Sequence, residues 1–269
     1  MSAYAEGRFE LKYAIPASCR DRIVDIVRDY AVPDANGVDI GGGAIGYHVF
    51  SLYFDRPDCH DYFERLESLR IRNRLRIRTY GSPGQKQPVF LENKRKYEDR
   101  VVKHRVKVAD ADSWAASTHP TPWGHFGESC KGRGRFSVDD FSMRVEAGRE
   151  PMTVVSYRRE VFVDPKPEVR IRLTVDHDVG ACRSHDLRNL HAPPTHHLIP
   201  PDWVVLEFKF DGDKPLWMRK IAKEFRLRAE PISKFGLSMV HCVRGRRYRE
   251  LRWLTPHSVR KAGLLESAA

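Results

Sequence analysis

Residues 70–78 read RIRNRLRIR, with arginine at every second position and Ile71, Leu75 and Ile77 among the residues between them. A repeat of two is typical of a β-strand, whose side chains point alternately to opposite faces. One face of this strand is therefore apolar, and the other carries five guanidinium groups. The stretch predicts a strand over about residues 70–80 whose charged face needs an anionic or aqueous partner.

The same alternation recurs along the chain, with charged residues on one face of each segment and apolar residues on the other. In RFELKY, Glu10 and Lys12 share a face, and in VVLEFKFDG the same holds for Glu207 and Lys209. These segments together predict eight strands. The strands lie at about residues 8–14, 47–55, 70–80, 88–96, 99–108, 153–163, 169–176 and 203–211.

Helices are predicted between the strands, with start signals at Pro16, Asp58 and Asp213. The remainder of 118–150 is expected to be irregular, and the His- and Pro-rich residues 180–201 are expected to form a solvated loop instead of a metal site. The predicted helices cover about residues 16–30, 58–66, 137–146, 213–225 and 233–251.

The length of the chain and the lack of a clear interdomain linker indicate one globular domain over 1–269, with a basic helical tail at 241–269. Lysine and arginine number 47 against 36 acidic residues, a net charge of +11 that attracts polyanions. The tail is predicted to be a solvated helix face, and binding of nucleic acid or anionic lipid by it is the alternative.

Five scattered cysteines without a C-x-x-C pair fit a reducing compartment. The opening residues have no apolar run of signal-peptide length, and no run in the chain approaches a membrane span. We therefore expect a cytoplasmic protein, and its charge leaves peripheral contact with a membrane open.

Alternating charge has two structural interpretations. The faces could be the solvated outer surface of an ordinary sandwich, which is the commoner case. They could instead line the inside of a barrel whose apolar exterior is covered by helices, because about eight strands close a barrel with a narrow interior. The heavy use of arginine and the isolated glutamates favour the second. Such a lumen requires water and a bound polyanion.

The chemistry of such a lumen points to phosphate. Arginine binds phosphate oxygens with two parallel hydrogen bonds, and lysine acts as a mobile point charge. Glutamates beside phosphate are tolerated when a divalent cation lies between them. Phosphoryl transfer needs mainly alignment and charge neutralisation, which such a lumen supplies.

Eight segments carry a family resemblance, in the order RFELKYAIP, SLYFDRPDCHDYFERLE, LRIRTYG, VFLENKRK, VSYRREVF, RLTVDHDV, VLEFKFDG and SKFGLSM. Over roughly residues 6–240 they resemble the VTC (vacuolar transporter chaperone) polyphosphate polymerase domain of the triphosphate tunnel metalloenzyme superfamily. The resemblance implies an α+β fold: an eight-stranded antiparallel β-barrel tunnel with a charged lumen and helices on the outside. It also implies transfer of the γ-phosphate of ATP to a growing polyphosphate chain with Mn²⁺ or Mg²⁺.

The resemblance implies site residues as well. Glu207 matches the metal-binding glutamate, and Glu10 and Glu92 share faces with matched residues, so all three are candidate metal ligands. Arg70, Arg72 and Arg74 are expected to line the mouth of the tunnel or to pair with neighbours. The predicted catalytic phosphate ligands are Lys12, Arg76, Arg78, Lys94, Arg159, Arg172 and Lys234. The predicted further substrate-binding residues are Arg65, Tyr157, Lys209 and Ser233.

The first strand departs from the superfamily's hydrolases and cyclases. Those enzymes carry E-x-E-x-K, whereas FELKY has one glutamate and one lysine. This favours the polymerase branch, with ATP and inorganic polyphosphate as partners and no specific nucleic acid. Two alternatives stay open: a triphosphatase of the same superfamily, and a non-catalytic protein that binds polyphosphate or RNA. A membrane-protein partner is also left open, and the pattern predicts no oligomeric state.

Overall fold

The computed structural model describes residues 9–67, 69–81, 87–97, 100–126, 137–166 and 168–243. All eight predicted strands are present. They are β1 (Phe9–Pro16), β4 (Ile45–Asp55), β5 (Ile71–Tyr80), β6 (Pro88–Tyr97), β7 (Arg100–Asp110), β8 (Glu150–Val163), β9 (Arg172–Arg183) and β11 (Trp203–Phe210). Three two-residue strands, β2 (Val32–Pro33), β3 (Val38–Asp39) and β10 (His196–His197), extend the sheet.

The helices are shorter and more numerous than the sequence predicts. Helices α3 and α4 lie where no helix was predicted, so the sequence prediction is wrong there. Helices of five or six residues have almost no periodicity that a sequence pattern can show. In the described part of the chain, the α-helices are α1 (Arg20–Arg28), α2 (His60–Leu66), α3 (Ala111–Ala116), α4 (Pro122–Phe126), α5 (Val138–Glu146), α6 (Leu216–Glu224) and α7 (Lys234–Ser238).

The predicted loop and the predicted last helix agree with the structure only in part. The expected loop over 180–201 is wrong at its ends, since β9 continues to Arg183 and β10 pairs with it through His196 and His197. The predicted last helix begins as expected after Ser233, whose side chain accepts a hydrogen bond from the Gly236 amide, and passes into a π-helical turn at Met239–Val243. The remainder of the predicted tail lies outside the described residues.

The long strands form an antiparallel sheet that curls around a tunnel. Neighbours follow the order β1-β11-β9-β8-β4-β5-β6-β7. The strands at the two ends of this order, β1 and β7, contact each other, so the sheet closes on itself in space. The predicted antiparallel tunnel is confirmed.

The apolar faces of the strands point outward and are covered by helices. Leu75 and Ile77, the apolar positions of the opening stretch, are buried with Trp114 of α3 and Phe141 of α5. On the other side, α1 and α6 cover β1, β9 and β11 in a second core that includes Leu206. Burial of these side chains explains why the arginines between them point into the tunnel, as the inside-out interpretation predicts.

One helix also contacts the inner face of the sheet. The Phe235 ring of α7 lies 5.3 Å from the ring of Tyr53, which points inward from β4. The neighbouring Lys234 places its Nζ 4.8 Å from the centroid of the Tyr157 ring on β8. The lumen is therefore bounded by the sheet and, on one side, by α7.

No helix in the described part of the chain is long and apolar enough to cross a membrane.

Candidate functional site

The inward faces bring the predicted residues together from separate strands. Cross-strand pairs place Lys12 opposite Glu207, Glu10 opposite Lys209, and Lys209 opposite Arg172. On the other side of the lumen, Arg76 lies opposite Glu92. The charged faces of β1, β5, β6, β9 and β11 thus contribute to one interior surface.

Glu92 is the centre of the first cluster. Its carboxylate accepts a hydrogen bond of 2.7 Å from Nε of Arg76, contacts Nζ of Lys103, and lies 3.9 Å from Nε of Arg78. Burial favours the neutral acid, but Arg76, Arg78 and Lys103 outweigh it and hold the pKa of Glu92 well below its usual range. Glu92 is therefore an anion that neutralises part of a dense group of cations.

Asp176 and Glu207 form the second cluster. Asp176 accepts two hydrogen bonds from Arg159, at 2.5 and 2.7 Å, and lies 2.5 Å from Nζ of Lys234. Glu207 lies 3.0 Å from Nζ of Lys209, 3.4 Å from Nη2 of Arg159 and 3.8 Å from Nζ of Lys12. Burial opposes ionisation of Asp176, yet Arg159 and Lys234 lower its pKa to about 2. Both carboxylates are ionised and shared among several cations.

Several lysines of the lumen lie in surroundings that disfavour their charge. Burial, which the nearby carboxylates offset only in part, lowers the pKa of Lys12 to about 8 and the pKa of Lys209 and Lys103 to about 7. Desolvation and neighbouring cations act in the same direction. A polyanion in the lumen would supply the missing negative charge and return these lysines to their cationic form.

A cavity of about 160 Å³ opens between β1, β5, β6 and the segment that precedes α7. Arg74 points toward it, donates a hydrogen bond of 3.3 Å to Oγ of Ser233, and lies with its guanidinium 5.1 Å from the Phe235 ring centroid. The basic side chains that line the cavity are Lys12, Arg65, Arg72, Arg74, Lys94 and Lys96. Two of the three arginines expected at the mouth, Arg72 and Arg74, thus lie at this cavity.

Like charges face each other directly at the cavity, where Arg74 is opposite Lys94 and Arg72 is opposite Lys96. Such cross-strand pairs are destabilising unless an anion lies between them. Burial lowers the pKa of Arg74 to about 9, so it remains a cation at neutral pH. With six basic side chains against Glu10 and Glu230, the cavity has an excess of positive charge that suits an anion.

The remaining predicted residues have other partners. Arg65 donates to the Pro231 carbonyl at 2.6 Å. Tyr157 accepts a hydrogen bond of 3.4 Å from Nη2 of Arg78. Arg172 contacts the hydroxyl of Tyr47 and lies 3.4 Å from Oδ2 of Asp34. Arg172 thus lies apart from the two carboxylate clusters.

Sequence reasoning missed three contributions to the lumen. Asp176 lies on the same face as Arg172, but its role in holding Arg159 and Lys234 depends on the order of strands. Lys103 of β7 reaches Glu92 from the neighbouring strand. The third is a set of hydroxyl groups on β4, whose alternation with apolar residues carries no charge and therefore no signal.

The lumen contains carboxylates of the kind that bind divalent cations. Carboxylate oxygens of Glu207 and Glu10 are hard ligands of the kind that Mn²⁺ and Mg²⁺ prefer. Both are engaged by cations, and Glu92 is enclosed by three. These residues fit a metal that arrives with phosphate groups, because the phosphates would take over the lysines and arginines.

Among the described residues, three metal-ligating side chains lie within 4.8 Å of one another only on α2, at His60, Asp61 and Glu64. Both Asp61 oxygens there accept hydrogen bonds from Arg149, at 2.8 and 2.9 Å. A metal in the lumen would consequently depend on one or two carboxylates completed by substrate oxygens.

Comparison with known proteins decides the family. The VTC domain model matches residues 7–242, which is most of the chain. The chain belongs to the VTC domain family. The resemblance to this family drawn from the sequence is thereby confirmed. No curated protein matches this VTC domain chain.

Two solved structures are similar to this VTC domain. The PH1819 protein from Pyrococcus horikoshii OT3 has 16% identity and a TM-score of 0.45, covering 87% of this chain and 99% of its own. A putative adenylyl cyclase, HpAC1 from Hippeastrum, described as having a dominant triphosphatase activity, has 16% identity and a TM-score of 0.46, covering 88% and 97%. Similarities this loose assign no activity to the chain.

Proposed function

We propose that this VTC domain is a metal-dependent polyphosphate polymerase, which transfers the γ-phosphate of ATP to a growing polyphosphate chain held in the tunnel. One observation carries the proposal: basic side chains from β1, β5, β6, β8, β9 and β11 converge on one lumen together with ionised carboxylates. A row of phosphates is the ligand that uses all of these cations at once.

In the proposed reaction, a terminal oxygen of the polyphosphate chain forms a bond to the γ-phosphorus of ATP. The bond from that phosphorus to the bridging oxygen breaks, and ADP leaves with the electron pair. Basic side chains hold ATP and the polyphosphate chain in line and neutralise their charge. They are Arg76, Arg78 and Lys94 on one side of the lumen, and Lys12 and Arg159 on the other.

Glu207, with support from Glu10, would hold the proposed Mn²⁺ or Mg²⁺, and the metal would supply positive charge that offsets the charge of the phosphates. Glu92 stays a predicted ligand, although Arg76 and Lys103 would first have to release it. Lys234 and Arg172 extend the cationic surface, and Arg65, Tyr157, Lys209 and Ser233 are the proposed additional phosphate contacts.

The product of the reaction tests the proposal. Incubation with ATP and Mn²⁺ is expected to give long-chain polyphosphate on a gel, and Glu207→Gln is expected to abolish it while triphosphate binding persists. The matched control is Glu160→Gln, because Glu160 is an equally buried glutamate that pairs with Arg20 and His177 outside the lumen. Release of orthophosphate alone would move the assignment to a triphosphatase, and absence of both products would leave a binding protein.

A further inference from the structure

Strand β4 differs from the other strands that line the tunnel. From Tyr47 to Tyr53 its inward positions carry no charge, and three of the four carry hydroxyl groups: Tyr47, Ser51 and Tyr53. The fourth, Val49, is packed in the core beside α7. Each hydroxyl contacts a different arginine, and all three arginines are proposed phosphate ligands.

The three contacts have a common form. Ser51 Oγ accepts a hydrogen bond of 2.9 Å from Nε of Arg78, and the Tyr53 hydroxyl accepts one of 3.0 Å from Nη1 of Arg76. The Tyr47 hydroxyl accepts from Nη2 of Arg172 and donates to Oδ2 of Asp34 at 3.0 Å. One strand therefore fixes the direction of three guanidinium groups that come from β5 and β9.

The hydroxyls are themselves held in place. Ser51 is 1% exposed and Tyr53 is 6% exposed. The Tyr53 ring lies against Phe235, and the Tyr47 ring makes an edge contact with Tyr80 at 5.6 Å. Because neither ring can turn without disturbing its neighbour, each phenol oxygen is a fixed acceptor for its arginine.

A hydroxyl acceptor acts differently from a carboxylate at these positions. Glu92 and Asp176 hold Arg76 and Arg159 by ion pairs that cancel part of their charge. The neutral hydroxyl of Ser51 restricts the rotation of the Arg78 guanidinium but leaves its positive charge available for an incoming phosphate. Tyr53 and Tyr47 each add a second fixed acceptor to an arginine that also pairs with a carboxylate. Preorganised donors of this kind need little rearrangement when an anion binds.

We propose that Tyr47, Ser51 and Tyr53 are positioning residues, which orient Arg172, Arg78 and Arg76 for a row of phosphate groups. This inference rests on the proposed function, since it requires that the arginines bind phosphate. The hydroxyls act through the arginines and make no contact with the reacting phosphorus atoms.

Calorimetric titration with tripolyphosphate, without metal or ATP, separates orientation from charge. Ser51→Ala and Tyr53→Phe are each expected to weaken binding by about tenfold, because the arginine loses one of the acceptors that fix its direction. The dependence of affinity on salt is expected to stay as in the wild type, since the number of cations is unchanged. Arg78→Ala, by contrast, is expected to lower both affinity and salt dependence. Ser51→Thr, which keeps the hydroxyl, is expected to restore binding.

Matched controls remove a buried hydroxyl elsewhere. Tyr13→Phe deletes a phenol that accepts a hydrogen bond from Lys214 on the outer face, and Thr79→Val deletes a buried hydroxyl with no hydrogen-bond partner among the described residues. Both are expected to bind like the wild type. If the wild type fails to bind, the proposed function is wrong. If the wild type binds and Ser51→Ala and Tyr53→Phe bind equally well, the positioning role is wrong. Should one variant fail to unfold cooperatively, the other still decides.

Discussion

Nζ of Lys94 lies 2.8 Å from Oε2 of Glu10, and this ion pair links β6 to β1 across the join of the curled sheet. The two residues are 84 positions apart in sequence. Burial favours the neutral acid, but Lys94 and the nearby Lys209 and Lys12 lower the pKa of Glu10 to about 2. The contact therefore connects two strands that are not neighbours in the sheet, since β1 pairs with β11 and β6 pairs with β5 and β7.

Breaking this pair is expected to destabilise the fold. Lys94→Met leaves the Glu10 carboxylate poorly compensated in a largely buried position, at an expected cost of about 2 kcal/mol. The double variant Glu10→Gln with Lys94→Met is expected to recover part of that loss. Urea denaturation of the two single variants and the double variant measures the coupling, and additive effects would show that the pair does not link the strands energetically.

The ligand-free protein is expected to become more stable as pH rises above neutrality. Burial lowers the pKa of Lys209 from 10.5 to about 7. For Tyr53, burial acts in the opposite direction, but Arg76 and Arg78 outweigh it and lower the pKa from 10.0 to about 7. Between pH 7 and pH 10 the unfolded chain therefore holds more protons than the folded protein, so the free energy of unfolding increases with pH.

Urea midpoints at about pH 7 and about pH 9 provide the measurement, with an expected rise of about 1–2 kcal/mol in the free energy of unfolding. Lys209→Met combined with Tyr53→Phe is expected to reduce this rise, and the lowered pKa values of Lys103 and Lys12 account for what remains. If the free energy of unfolding of the wild type instead falls as the pH rises above neutrality, the lumen does not contain buried cations in excess of their anionic partners.

Triphosphate binding is expected to take up protons. At about pH 9, where the ligand is fully ionised, Lys209 and Lys12 are mostly neutral in the free protein, and a bound polyanion raises their pKa. Titrations in buffers of different ionisation enthalpy measure the uptake, which is expected to be about one proton or more. Lys209→Met is expected to reduce it. Binding without any net uptake would place the ligand away from these lysines.

Affinity for triphosphate is expected to fall steeply as salt increases, because several lysines and arginines contact the anion together. The slope is expected to decrease on removal of Arg159, which bridges Asp176 and Glu207. A response that is flat in salt would mean that these arginines serve the structure alone.

The sequence predicted the strands well because each alternates with period two, and burial of Leu75 and Ile77 against helices settles which face is outward. It predicted short elements poorly: α3 has only six residues, and β10 only two. Of the lumen, the sequence could indicate which residues share a face on one strand. The partners of Asp176, Lys103 and Tyr53 lie on other strands or on α7, and their identity depends on strand order and on the curl of the sheet.

The most direct test of the account is a crystal structure with triphosphate and Mn²⁺ bound. We expect phosphate oxygens within hydrogen-bond distance of Arg76, Arg78 and Arg159, and the metal on Glu207 with its remaining ligands drawn from phosphate and water. The cations that now surround Glu207 are expected to turn toward the phosphates. Triphosphate found only on the outer surface, with Glu207 still paired to Lys209 and Arg159, would contradict the account.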